Sequence, residues 1–404
     1  MDWNSVFATR ASRMNASEIR ELLKLLDQPD IISFAGGIPD PKLFPHVAFG
    51  DAMAEIFASE EHNTALQYSV SEGYSPLRDW IAGEMAKIGI PCDRNNILIT
   101  SGSQQALDYL GKLFLSPKDT ALVGWPTYLG ALGAFNAYEP NYDQLSPNGN
   151  RSATEISALA AQNGGAVKFA YTSVDFANPT GETLDFRGRT SLLNLAEELD
   201  IPVIEDAAYQ ALRYKGEPVP PILALDIERT GDIENTRTLY CGSFSKTLSP
   251  GLRVGWVCAA KDVISKLVLI KQASDLHSPT LNQMAIAKVA ERHFDEHVAM
   301  VRASYAKRCT DMLSALNDHM PDGVEWTNPD GGMFIWLTLP KSLNAADLLA
   351  ESLKTERIAF VPGAAFFADG SGQNTLRLSF SCAEKSQIEE GMKRLGRLLK
   401  KALI

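Results

Sequence analysis

The chain has 404 residues, 45% hydrophobic and 22% charged, which is too long for one compact core and ordinary for a globular protein of two domains. Its 38 basic and 49 acidic side chains give a formal net charge of −11, arguing against a nucleic-acid surface and making any anion site a local device. Five scattered cysteines with no C-x-x-C pair suggest neither a disulfide framework nor a metal site. The start of the chain has no basic region before an apolar run, and no apolar stretch reaches the roughly 20 residues of a membrane span, so a cytoplasmic protein is expected.

In chain order, Ala16 to Leu26 places Ile19, Leu22, Leu23 and Leu26 at helical spacing behind a cap candidate, Ser17. Ile31–Phe34 follows, then a turn beginning Gly36-Gly-Ile-Pro. From Asn96 onward short apolar strands alternate with helical patterns. The candidate strands are Ile97–Thr100, Ala121–Gly124, Lys168–Thr172, Pro202–Glu205, Thr238–Cys241 and Val254–Cys258. That alternation predicts a largely parallel sheet covered by helices, with its ligand beyond the carboxyl ends of the strands. After Lys261 long helices are expected over Leu281–Val301 and on to Leu316. A smaller α+β unit closes the chain: a strand after Gly332, a helix at Ala345–Thr355, strands Ile358–Val361 and Thr375–Phe380, and a helix from Glu384.

Several polar segments fall just after candidate strands. Ser243-Phe-Ser-Lys246-Thr-Leu-Ser-Pro-Gly-Leu-Arg253 combines a lysine, hydroxyls and an arginine. An aldehyde cofactor carrying a phosphate needs that set: the amine condenses with the aldehyde, while hydroxyls and guanidinium hold the phosphate. Taken alone it reads equally as a solvated loop. Ser101-Gly-Ser-Gln-Gln joins a strand to a helix, where Ser101 or Ser103 could be an ordinary cap, or Gly102, Ser103 and Gln104 could bind an anion at the helix start. Asp206 ends a strand and competes with its neighbour Glu205 for any functional role. Asn178-Pro-Thr-Gly alone is a turn, and Tyr128 alone is a core aromatic. Arg377, flanked by leucines on a strand, needs an anionic partner if buried.

Taken together in type, order and spacing, these segments resemble the class I and II aminotransferases over almost the whole chain. Ser17-Glu-Ile-Arg20, Ser33–Pro39, Leu66-Gln-Tyr68 and Lys271–His277 are similar to the α-aminoadipate/kynurenine aminotransferase II group. The resemblance implies an α/β fold of the aspartate-aminotransferase type (fold type I for pyridoxal 5′-phosphate, PLP), with a mainly parallel seven-stranded sheet in a large domain, 46–290. A small α+β domain, 291–404, would be joined by an N-terminal segment, 1–45, that covers the active site. Lys246 would be the covalent and proton-transferring lysine, and Asp206 would pair with the ring nitrogen, favoured over Glu205 by the D-x-x-Y spacing to Tyr209. Asn178 and Tyr209 would bond the phenolic oxygen, and Tyr128 would stack on the ring. Gly102, Ser103, Gln104, Ser243, Ser245 and Arg253 would form the phosphate cup. Tyr68 would reach it across a homodimer interface, although Ser69-Val-Ser71 departs from the usual Gly/Ser-Pro-Thr. Arg377, Asn178, Gly37 and Arg20 would meet the amino-acid or 2-oxo-acid substrate. The alternatives are a same-fold β-lyase or decarboxylase, or the effector half of a regulator, which would require a basic DNA-binding extension that the acidic sequence does not show.

Overall fold

A computed structural model of the chain describes residues 1–14, 30–146 and 149–403. The expected helix Ala16–Leu26, with Ser17 and Arg20, lies outside them. The strands in chain order are β1 (Ile32–Ser33), β2 (Ile97–Thr100), β3 (Thr120–Gly124), β4 (Asn141–Leu145), β5 (Val167–Ser173), β6 (Val203–Asp206), β7 (Thr238–Ser243) and β8 (Gly255–Cys258), followed by β9 (Glu325–Trp326), β10 (Phe334–Thr338), β11 (Ile358–Ala359), β12 (Val361–Pro362) and β13 (Thr375–Ser379).

Seven of them form the central sheet in the order β2-β8-β7-β6-β5-β3-β4. β7, β6, β5, β3 and β4 pair in parallel, while β8 runs antiparallel to both neighbours. β2, β6 and β7 are buried at every residue, because helices cover both faces; hence their continuous apolar runs. Leu98 packs with Leu107, Phe135 and Tyr171 on one face, and Ile97 and Ile99 pack with Ile81 and Tyr240 on the other. β4 (Asn-Tyr-Asp-Gln-Leu) is an edge strand that the sequence reading did not foresee, since only Leu145 is fully buried.

The second sheet, β12-β13-β10-β9, is antiparallel and shares a core of Phe34, Tyr305, Phe334, Leu378 and Leu395 with the helices around it. Its expected strand Ile358–Val361 is two short pieces. β11 turns away to pair in parallel with β1, and β12 joins β13. The long helical stretch is one 40-residue helix, Thr280–His319, running unbroken past residue 290. Among the described residues no helix is long and apolar enough to cross a membrane, and no His/Cys/Asp/Glu cluster could hold a metal.

Candidate active site

The ends of β5, β6 and β7 converge on a cavity of about 230 Å³ lined by Ser173, Asp206 and Ser243, with Lys246 and Arg377 in its wall. A larger groove of about 730 Å³, under Trp80, Met85 and Phe294, shares no lining residue with it. The chemistry expected from the sequence gathers in the smaller space.

Lys246 follows β7, and its Nζ donates to the carbonyl of Gly37 at 2.9 Å. Desolvation, then repulsion from Arg377 and Arg253, pulls its pKa down to about 8, so the amine is within reach of its neutral form near pH 7. Ser243 donates through Oγ to Ser245 Oγ at 2.9 Å, and both hydroxyls line the same cavity.

Asp206 ends β6 at 4% exposure. The Tyr171 hydroxyl donates to its Oδ2 at 2.7 Å, and the Ala208 N–H lies 3.4 Å from Oδ1. Burial raises its pKa. Glu205 faces the other side of the strand, where its two carboxylate oxygens accept the N–H groups of Ile222 and Leu223 at 2.8 and 2.9 Å. It therefore caps helix Ile222–Thr230 and does not line the cavity. Adjacent residues on a strand point to opposite faces, so of the two only Asp206 lines the cavity.

Arg377, from β13, is 1% exposed. Nη1 donates to Asn178 Oδ1 at 2.6 Å and Nη2 to the Ala35 carbonyl at 2.9 Å, while Nε has no partner. The guanidinium lies over Phe334 and Phe366, 4.3 and 5.1 Å from their centroids. Burial lowers its pKa to about 10, and among the described residues no carboxylate forms an ion pair with it. Asn178 also lies beside the Tyr209 hydroxyl in the cavity wall. Tyr128 lines the cavity with Asn178, Tyr209 and Gly37, and burial pushes its hydroxyl up to about 12.

Helix Ser103–Phe114 begins beside this cavity with Gly102 as its N-cap residue and no side-chain cap, so neither Ser101 nor Ser103 plays the ordinary capping part. Gly102 has φ +75°, and a Cβ there would lie 2.4 Å from Arg253 Nη2. Gly255, at the start of β8, is equally constrained: its Cβ would meet the Gly102 carbonyl carbon and the Ser103 nitrogen at 2.8 Å. Arg253 donates to the Ser101 carbonyl at 3.0 Å, which brings the lysine loop to the helix start.

Two expected side chains, those of Gln104 and Tyr68, point away from the cavity. The exposed Gln104 side chain donates to the Gly130 carbonyl, and only its main chain belongs to the helix start. The glutamine that shapes the turn is Gln105, whose Oε1 accepts from the Ser101 N–H at 2.8 Å and from buried Lys271 at 3.1 Å. Helical phase separates the two glutamines, and sequence alone does not reveal it. Tyr68 is 80% exposed and meets the edge of His277, outside the cavity of its own chain. Arg20 lies outside the described residues.

The residues present fit a phosphorylated aromatic aldehyde. A turn that no Cβ could enter, two hydroxyls and Arg253 suit the phosphate. A buried carboxylate with no ion-pair partner among the described residues suits a ring N–H, and a buried arginine with an orphaned Nε suits a carboxylate.

Comparisons with known proteins agree. The model of the family "Aminotransferase class I and II" matches residues 29–395. The chain is 42% identical to a 2-aminoadipate transaminase of Thermus thermophilus over 99% of this chain and 98% of that one. It is 41% identical to aromatic-amino-acid aminotransferase 1 of Thermococcus litoralis, over 100% of this chain and 96% of that one. A crystal structure of kynurenine aminotransferase from Pyrococcus horikoshii superposes with a TM-score of 0.91 at 41% identity, covering 100% and 99% of the two chains.

Proposed function

We propose that this chain, which belongs to the aminotransferase class I and II family and is a PLP-dependent aminotransferase, transfers the amino group of acidic and apolar L-amino acids to a 2-oxo acid such as 2-oxoglutarate. The observation that carries this reading is the pairing of Lys246 with Arg377 across one cavity: a half-buried amine of lowered pKa faces a buried guanidinium that has no ion-pair partner among the described residues.

When bound, PLP supplies the aldehyde that takes up the amino group and an electron-poor ring that stabilises charge at the substrate Cα. The protein does the rest. Arg377 grips the α-carboxylate, with Asn178 and Phe334 holding the guanidinium in place. Lys246, released from the Gly37 carbonyl, would take the Cα proton as a general base and return it across the amino nitrogen, at the former aldehyde carbon C4′. Asp206 holds the ring nitrogen protonated, Asn178 and Tyr209 serve the phenolic oxygen, and Tyr128 covers the ring face. The Gly102–Gln104 main chain, Ser243, Ser245 and Arg253 hold the phosphate.

Arg20 would meet a distal carboxylate, accounting for acidic donors. Ile38 and Leu129, also in the cavity wall, favour apolar ones. A homodimer would bring Tyr68 to its neighbour's phosphate, and the exposed Leu66, Tyr68, Val70 and Leu276 suit a surface that a partner covers. We also propose the division into 1–45, 46–290 and 291–404, and a cytoplasmic setting.

The test has two arms. Borohydride reduction after PLP addition should fix the cofactor on Lys246, read by peptide mapping. Incubation with a donor panel and 2-oxoglutarate should yield glutamate and the matching 2-oxo acid in equal amounts. A pyridoxyl group on another lysine defeats the site assignment. Release of ammonia or CO₂ in place of glutamate defeats transamination in favour of β-lyase or decarboxylase chemistry.

A further inference from the structure

Among the described residues, Tyr171 is the one side chain that hydrogen-bonds Asp206. It sits within β5, which pairs in parallel with β6, at 0% exposure among Leu107, Phe169 and Ile204. Its ring meets Phe135 edge-on at 5.6 Å. A phenylalanine would satisfy that apolar packing, whereas a hydroxyl there costs desolvation unless it is bonded. Its bond to Asp206 is therefore the reason for a tyrosine. The bond occupies Oδ2 and leaves Oδ1, with only the 3.4 Å approach of the Ala208 N–H, for a group in the cavity. Lys246, Tyr128, Tyr209 and Cys241 are the other titratable groups that interact with Asp206, and none of them hydrogen-bonds it.

We propose that Tyr171 is a positioning residue for transamination: its hydroxyl locks Asp206 in one rotamer and keeps it ionised, so that Oδ1 meets the cofactor's ring nitrogen. This rests on the reading that Asp206 faces that nitrogen. Burial alone drives Asp206 toward its protonated form, and the donated phenolic bond opposes that drift. Without the hydroxyl, the carboxylate would be freer to rotate and easier to protonate, and it would hold the ring proton less firmly.

The experiment measures the PLP Kd of the cofactor-free protein, and the pH midpoint of the bound cofactor's absorbance, for Tyr171→Phe, Asp206→Asn and the double variant. Tyr171→Phe should raise the Kd about three- to tenfold and move the midpoint, while the melting temperature of the cofactor-free protein stays within a few degrees of wild type. In the Asp206→Asn background, Tyr171→Phe should add nothing, because the effect runs through the carboxylate. A wild-type Kd and midpoint in Tyr171→Phe, or an equal added effect in both backgrounds, overturns the proposal. If Asp206→Asn itself leaves Kd and midpoint unchanged, the reading of Asp206 is what fails. Should Tyr171→Phe not fold, 3-fluorotyrosine in place of Tyr171 keeps the shape with a stronger donor, and an unmoved midpoint there refutes the idea.

Discussion

Replacing Arg377 with lysine tests whether the buried guanidinium is the α-carboxylate site. In the structure its three nitrogens are divided: Nη1 and Nη2 serve Asn178 and Ala35 at 2.6 and 2.9 Å, and Nε is unpartnered. A lysine offers one ammonium in place of a planar fork. It cannot keep both anchoring bonds and present a second donor to a carboxylate. The loss is therefore one charge-assisted contact, about 1.5–3 kcal/mol, or roughly ten- to a hundredfold in kcat/KM. Because the lost contact lies on a group that every amino acid carries, the factor should be shared. The assay is the single-turnover reaction of PLP-loaded Arg377→Lys with glutamate, 2-aminoadipate, leucine, phenylalanine and alanine, followed by cofactor absorbance. The PLP Kd should remain near wild type. Factors differing more than about tenfold between donors would move Arg377 to the side-chain pocket, and a shared loss below about threefold would remove it from substrate binding altogether.

Arg20→Ala should raise KM for glutamate and 2-aminoadipate by about tenfold or more while sparing leucine and kynurenine; small, equal changes on all donors would make Arg20 a solvated residue of no consequence for specificity. Mixing Tyr68→Ala with Lys246→Ala subunits should recover roughly a quarter of wild-type activity, since half of the random dimers hold one complete site; no recovery on mixing would place Tyr68 outside its neighbour's site. Glu205, its pKa raised to about 7 by burial from an ordinary 4.5, stabilises the fold fully below about pH 4.5, and that contribution is lost as pH climbs through 7. The melting-temperature advantage of wild type over Glu205→Gln should accordingly shrink between pH 5 and 8, and a gap that does not change with pH would show that the carboxyl does not titrate in that window.

The parallel sheet was legible because β2, β6 and β7 are buried on both faces, so their sequences are unbroken apolar runs ending at polar residues. β4 was not, because an edge strand half open to water has no such run. Asp206 and Arg377 could be singled out because each ends or interrupts an apolar strand, and Lys246 because it stands among hydroxyls and an arginine just after one. The bond from Arg377 to Asn178, 199 residues away, has no local signal, and neither does the hydroxyl of Tyr171, which the sequence presents only as another aromatic in a strand. Glu205 was decidable in principle: strand alternation sends it and Asp206 to opposite faces. What it caps depends on a helix that begins 17 residues later.

The closeness of Gly255 to the Gly102–Ser103 peptide means that main chain meets main chain beneath the start of helix Ser103–Phe114. An anion seated on that turn would owe its coordinates to strand register, with no rotamer free to adjust them. Such a seat is stiff and hard to retune, since a methyl group at Gly255 pries the strand from the helix and one at Gly102 runs into the Arg253 guanidinium. It would also slacken only when β2 and β8 part, so the grip on a phosphate and the integrity of the sheet would fail together on heating rather than one before the other.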